Sequence, residues 1–282
     1  MTEIWLIATD ITEEQAAALG ELLDPDERAR AARTPDGPGR RRYLAAHAAA
    51  RLLTAAAAGV PPELVRWRRG PHGRPEPVGM EGELSVNLST AGRWALFAVQ
   101  QRADGDGEIG VDLEPVPIGH AAARLARRYY PASETGGGAA EFTRRWTRKE
   151  AYTKAHGGRL ADGLRTHAGP VGGPGPYRID GPLGPCTVHD LPAPPGHRAA
   201  AARTGSRPVR PRLLSYPADL AEEFGAHRVG GFDLHHLHRV DGSDAHHLHR
   251  VDGLDPHHLH RVDGSGAHRT LATRRPDLEG RP

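Results

Sequence analysis

Three acids and one base, in two short segments, are the residues of this chain best suited to chemistry. Asp112 and Glu114 stand two apart in EIGVDLEPV, where they alternate with Ile109, Val111 and Leu113. Such alternation predicts a strand, whose period of two puts both carboxylates on one face and the apolar residues on the other, toward a core. Two hard oxygen donors side by side suit magnesium, which takes few protein ligands and keeps positions open for water and substrate phosphates. The same spacing also fits an exposed strand face carrying ordinary surface acids.

The second segment, EFTRRWTRKEAYTKAHGG, reads as a helix closed by Gly157 and Gly158. Trp146, Glu150 and Lys154 recur at i, i+4 and i+8, so an apolar anchor, an acid and a base share one stripe. On a free helix surface the Glu150–Lys154 pair would contribute only about 0.2–0.5 kcal/mol. Composition argues for more. Of 37 basic residues, only Lys149 and Lys154 are lysine. Lysine is a compact charge that can approach a phosphate as a point donor and can release a proton, which arginine does not do. Lysine kept at these two positions alone predicts a chemical role for this helix.

The elements that must position these residues can be read in outline. Ile4 to Ala8 reads as a strand, and Thr12 opens a helix with a Thr-x-x-Gln capping box completed by Gln15. Asp24-Pro25 is an N-cap followed by a first-turn proline, with acids early and arginines late in the helix it starts. Arg40 to Ala58 reads as a third helix, stopped by Gly59 with Pro61 beyond. From Leu84 strands take over: SVNLS and RWALFAV flank Thr90-Ala91-Gly92 as a hairpin or tight functional turn. YYPASETGGGAA reads as a loop, and short strand-like pieces follow at Tyr177 to Ile179, Thr187 to His189 and Ala199 to Ala202. Helices followed by strands, twice over, predict an α+β fold of two related halves, at residues 1–105 and 106–205.

At 282 residues the chain is long enough for one large domain or two small ones; 38% of it is hydrophobic and 26% charged, as in a globular protein. Only 5% is aromatic, so Leu, Val and Ala must build much of the core. A formal net charge of +2 gives no argument for nucleic acid. Cys186 is the lone cysteine, which excludes an intramolecular disulfide and a cysteine zinc site. MTEIWLIATDITEE lacks the basic start and long apolar run of a signal peptide, and no segment approaches the roughly 20 apolar residues a bilayer crossing needs. A cytoplasmic protein without a membrane partner is the expectation.

Residues 206–282 differ from everything before them. HHLHRVDG occurs three times, from His235, His246 and His257, with a period of 11 residues. Each repeat carries a turn-forming Asp-Gly, and three repeats so short and polar are too few to bury a core, so a disordered tail is expected.

IGVDLE at 109–114 and WTRKEAYTK at 146–154 together resemble the Sfp-type 4′-phosphopantetheinyl transferase superfamily. That family carries a (V/I)G(I/V)D(I/L)E strand and, some 35 to 45 residues later, a W-x-x-K-E-A-x-x-K helix. The resemblance runs from about residue 1 to 205, includes HGRP at 72–75 and NLS at 87–89, and leaves out the His-rich tail. It implies a pseudo-twofold pair of similar α+β halves with coenzyme A in the cleft between them. It also implies magnesium held by Asp112, Glu114 and Glu150, and transfer of the phosphopantetheine arm to a serine of an apo acyl or peptidyl carrier protein. Glu150 would be the base for that serine and Lys154 would stabilise the departing 3′,5′-ADP. Arg41, Arg42, His72, Gly73, Arg74, Ser89, Thr90, Asp112, Lys149 and Lys154 would contact coenzyme A. The family commonly has a histidine after the serine of its N-x-S-H motif, whereas this chain has Thr90, which can donate a hydrogen bond but carries no charge. Weaker coenzyme A binding is the expectation, and a degenerate coenzyme A-binding protein of the same fold is the alternative to an active transferase.

Overall fold

A computed structural model describes residues 2–70, 72–102, 107–118, 120–170, 175–205 and 212–216; the three HHLHRVDG repeats lie outside the described residues. The first half of the chain supplies strand β1 (Thr2–Ala8) and three helices, α1 (Glu13–Glu21), α2 (Pro25–Ala31) and α3 (Pro38–Ala58). Two short strands β2 (Trp67–Arg69) and β3 (Pro75–Pro77) follow, then a hairpin of β4 (Leu84–Ala91) and β5 (Trp94–Gln101). The second half runs β6 (Ile109–Pro115), α4 (Ala121–Tyr129), α5 (Ala139–Ala155), α6 (Leu160–Leu164), β7 (Tyr177–Gly181), β8 (Gly184–Leu191) and β9 (His197–Thr204).

Local chemistry sets several boundaries. Thr12 and Asp24 cap α1 and α2 with full capping boxes, closed by Gln15 and Glu27. At the end of α3, Gly59 adopts the left-handed conformation (φ 67°) that ends a helix at least cost for a residue without Cβ. Two helices, α4 and α6, lie where no element was expected. α4 has no side-chain cap and no acid in its first turn, so the usual start signals are missing. α6 is five residues long, too short for a periodic pattern.

The two halves repeat one connectivity. In each, the first strand lies beside the last, and the last pairs antiparallel with the strand before it; with β10 (Arg212–Tyr216) added beside β1, the orders are β10-β1-β5-β4 and β6-β9-β8-β7. The long helix of each half covers one face of its sheet. α3 packs Ala46, Ala49, Ala50 and Leu53 on Trp5, Phe97 and Val99, and α5 packs Ala151, Tyr152 and Ala155 on Ile179, Val188 and Ala200. Between the sheets Ile4, Leu96 and Ala98 meet Ile109, Val111, Leu113 and Ala201, which makes the order helix, sheet, sheet, helix. The fold is α+β, and its core relies on alanine where the scarcity of aromatics required it.

One strand crosses the expected boundary of the tail. β10 (Arg212–Tyr216) returns from the second half to pair in parallel with β1, Glu3 opposite Arg212 and Ile7 opposite Tyr216. A pairing between the two ends of a chain leaves no local periodic signal in RLLSY.

Candidate active site

β6 is buried on both faces. Ile109, Val111 and Leu113 point into the core between the sheets, and Gly110, Asp112 and Glu114 alternate toward α5. Glycine at 110 is what allows the approach: a Cβ there would stand 2.2 Å from the Ala151 carbonyl oxygen and 2.4 Å from the Ala155 nitrogen, both helix backbone. The contact fixes the register of helix against strand, so the Trp146–Glu150–Lys154 stripe faces the two acids.

Lys154 is the centre of the cluster. Its Nζ donates to Asp112 Oδ1 at 2.6 Å and to Ser89 Oγ at 3.2 Å, and Ser89 Oγ donates to the same carboxylate oxygen at 3.0 Å. Burial works against the ammonium charge, but Asp112, Glu150 and Glu114 outweigh it and hold the Lys154 pKa above the ordinary value. The carboxylates are strained in the opposite sense. Glu114 is pushed up to about 8, first by burial, then by the Asp112 charge, although the indole N–H of Trp146 donates to it. Glu150 is pushed up to about 7, again chiefly by burial, with Lys154 opposing and Asp112 adding. Three acids therefore share one crevice with a single resident cation.

Asp112 is 1% exposed, and its Oδ2 is buried without a hydrogen-bond partner. Leaving a carboxylate oxygen bare in this way is costly unless something else meets it. Among the described residues no group of three or more His, Cys, Asp or Glu side chains stands in an arrangement that could hold a metal ion. In donor type alone the carboxylates, with the orphaned Asp112 oxygen, suit a hard divalent cation such as magnesium.

The structure brings some of the residues expected at the site together and keeps others apart. Ser89, Asp112, Glu114, Glu150 and Lys154 come together. Lys149, one helical position away, faces elsewhere: fully buried, its Nζ donates to Leu164 O at 3.0 Å and to Thr166 O, forms an ion pair with Glu134 Oε2 at 2.7 Å, and lies over the Tyr130 ring. It ties α5 to the segment after α6 and to the turn that precedes α5, and it does not reach the carboxylates. Arg41 and Arg42, at the start of α3, bond Glu13 and Asp10. His72 and Gly73 form the turn between β2 and β3, both with positive φ (80° and 83°). Thr90 is exposed on β4, on the face opposite Ser89.

Arg74 is committed inside the protein. It donates to Ser85 Oγ, Val86 O, Glu108 Oε2, Ile109 O and the Lys154 carbonyl, at 2.9 to 3.2 Å, and so staples the first half to β6 and α5. A cavity of about 290 Å³ lies beside it, lined by Arg68, Arg74, Glu76, Glu108, His156 and Gly157 among others, against the end of α5. Sequence reasoning missed Ser85, Asn87 and Glu108. A signal existed for the first two, since Ser85, Asn87 and Ser89 are polar residues at i, i+2 and i+4 on the inner face of a strand.

Comparison with known proteins agrees with this architecture. The model of the 4′-phosphopantetheinyl transferase superfamily matches residues 108–171, the stretch from β6 through α6. HetI of Nostoc sp. (strain PCC 7120), a 4′-phosphopantetheinyl transferase, is 32% identical over 169 residues, covering 56% of this chain and 69% of the relative. The slr0495 protein of Synechocystis sp., whose assignment as a 4′-phosphopantetheinyl transferase is provisional, is 32% identical over 175 residues, covering 57% of this chain and 67% of the relative. The chain belongs to the 4′-phosphopantetheinyl transferase superfamily, and the class of activity is phosphopantetheinyl transfer.

Proposed function

We propose that this protein transfers the 4′-phosphopantetheine arm of coenzyme A to a serine of an apo acyl or peptidyl carrier protein, in a magnesium-dependent reaction of the holo-acyl-carrier-protein synthase type. The observation that carries the reading is the three-carboxylate crevice around Lys154, with its buried, partnerless Asp112 oxygen. Asp112, Glu114 and Glu150 would hold the cation, which when bound neutralises pyrophosphate charge.

Each residue then has a task that its environment suits. The serine oxygen forms a bond to the β-phosphorus of coenzyme A while the bond from that phosphorus to 3′,5′-ADP breaks. Glu150 accepts the serine proton; burial, which raises its pKa, would offset part of the lowering that a bound cation imposes and so keep it basic enough for the task. Lys154 stays charged beside Asp112 and meets the developing negative charge on the leaving ADP. The cavity at Arg74 and the end of α5 would take the nucleotide end of coenzyme A, with the guanidinium supplying positive potential to the wall it already braces.

One observation favours a second reading. Thr90 stands where the family resemblance leads one to expect a histidine, which fits a protein that binds coenzyme A without transferring from it. Incubation with coenzyme A, Mg2+ and an apo carrier protein separates the two. Active transfer adds the mass of one phosphopantetheine arm to the carrier, whereas the second reading gives coenzyme A binding with no such gain.

A further inference from the structure

β6 and β4 are both edge strands of their sheets, and they meet each other where the two halves join. An edge strand presents a row of backbone N–H groups with no ladder partner, and burying that row without acceptors is costly. On β6 the outward row is Ile109, Val111 and Leu113, since the other edge of the strand is taken by β9. Each of the three N–H groups donates to a side chain of β4: Ile109 to Ser85 Oγ at 3.0 Å, Val111 to Asn87 Oδ1 at 2.9 Å and Leu113 to Ser89 Oγ at 3.3 Å. The sequence offset is 24 residues at every rung, so the strands run parallel in a single register.

This seam is more than a local closure, because its rungs carry the catalytic crevice. Ser89 also bonds Asp112 and Lys154, and Ser85 bonds Glu108 and Arg74. Both outer rungs therefore have several partners. The middle rung, Asn87, lies between them at 4% exposure, and its carbonyl oxygen is the acceptor for the residue directly before Asp112. A sideways or one-residue shift of β6 would turn Asp112 and Glu114 away from α5, because a strand exchanges faces with every residue.

We propose that Asn87 is a positioning residue for the transfer reaction: by capping the Val111 N–H it locks the edge of β6 and so holds Asp112 against Lys154 and Glu150. The proposal rests on the functional reading above, and it acts through geometry, since Asn87 need not touch coenzyme A or the carrier. Hydroxyls already perform the same task at 85 and 89 on this strand, so an oxygen acceptor is what position 87 requires.

The test compares Asn87→Thr with Asn87→Val, side chains of nearly equal shape that differ in having or lacking an acceptor. The Val variant is expected to lose on the order of tenfold in kcat, the effect of leaving one buried N–H without a partner, with KM for coenzyme A changed by less than about twofold. Its affinity for Mn2+, measured on the free protein by electron paramagnetic resonance, should fall by a similar factor, and the Val111 amide should exchange with solvent faster. The Thr variant should restore all three. Should the Val variant fail to fold, Asn87→Ser against Asn87→Ala makes the same comparison at smaller volume. Equal behaviour of the acceptor and non-acceptor variants, or an unchanged Val111 exchange rate in the latter, overturns the proposal. If the unaltered protein neither transfers the arm nor binds Mn2+, the functional reading fails, and the Val111 exchange still decides whether Asn87 fixes this edge.

Discussion

Replacing Gly110 by alanine tests whether the approach of α5 to β6 builds the crevice. The added methyl would stand 2.2 Å from the Ala151 carbonyl oxygen, 2.4 Å from the Ala155 nitrogen and 3.0 Å from the Ala155 Cα, all backbone atoms that no rotamer change can move. Ordinary contact distances require the helix to withdraw by more than about 1 Å. Overpacking of this kind costs about 1–3 kcal/mol, which lowers Tm by roughly 2–4 °C per kcal/mol in a domain of this size. The same displacement carries Glu150 and Lys154 away from Asp112, and an offset of that size costs on the order of a hundredfold in rate. The variant should therefore remain folded at the assay temperature and still transfer on the order of a hundredfold more slowly. Carrier-protein mass gain with time and thermal unfolding measure the two separately. Gly82→Ala is the control, since nothing lies within 4 Å of a Cβ at that position. A Gly110→Ala protein with both rate and Tm near those of the unaltered chain would refute the reasoning.

The two lysines should separate by phenotype. Lys154→Met removes most transfer, whereas Lys149→Met leaves Glu134 buried and uncompensated outside the crevice and costs about 3–5 kcal/mol, read by denaturant unfolding. Stability and metal should be linked through pH. Glu114 and Glu150 titrate in the folded chain at about 8 and 7 rather than 4.5, so without metal the folded state binds more protons than the unfolded one between those values. Stability of the metal-free protein should accordingly fall as pH rises from 4.5 to 8, and Mg2+ should raise Tm more at pH 8 than at pH 6, where protons compete for its ligands. A Mg2+ effect that is independent of pH would contradict the coupling. Deleting residues 227–282 should leave the transfer rate within about twofold, while deleting 206–282 also removes β10 and bares the edge of β1, lowering Tm.

Local signals in the sequence identified what local chemistry determines. The capping boxes at Thr12 and Asp24 and the stop at Gly59 act within a few residues, and each appears in the structure. The Asp112/Glu114 alternation and the Trp146–Glu150–Lys154 stripe were likewise visible, because periods of 2 and 3.6 decide which side chains share a face. What was hidden depends on contacts between distant segments. Lysine at 149 and 154 signalled a requirement for a compact ammonium, but the chain has two such requirements: Lys154 among carboxylates, and Lys149 among two carbonyls and Glu134. Composition could not tell them apart. Arg74 is an arginine among many in the sequence, and only the fold shows its guanidinium bridging both halves. The β10–β1 pairing and the Ser85–Asn87–Ser89 seam exist only once strands separated in the sequence lie side by side.

Joint action of the acids on β6 and α5 in one magnesium-dependent transfer is what we propose. Its most direct test is the mass of an apo carrier protein after incubation with coenzyme A and Mg2+, using the unaltered chain, Asp112→Ala and Glu150→Gln, each first shown to be folded. A gain of one phosphopantetheine arm that needs Mg2+ and is largely lost in both variants is the predicted result. A gain that persists without divalent cation, or near-normal turnover in either variant, would contradict the account.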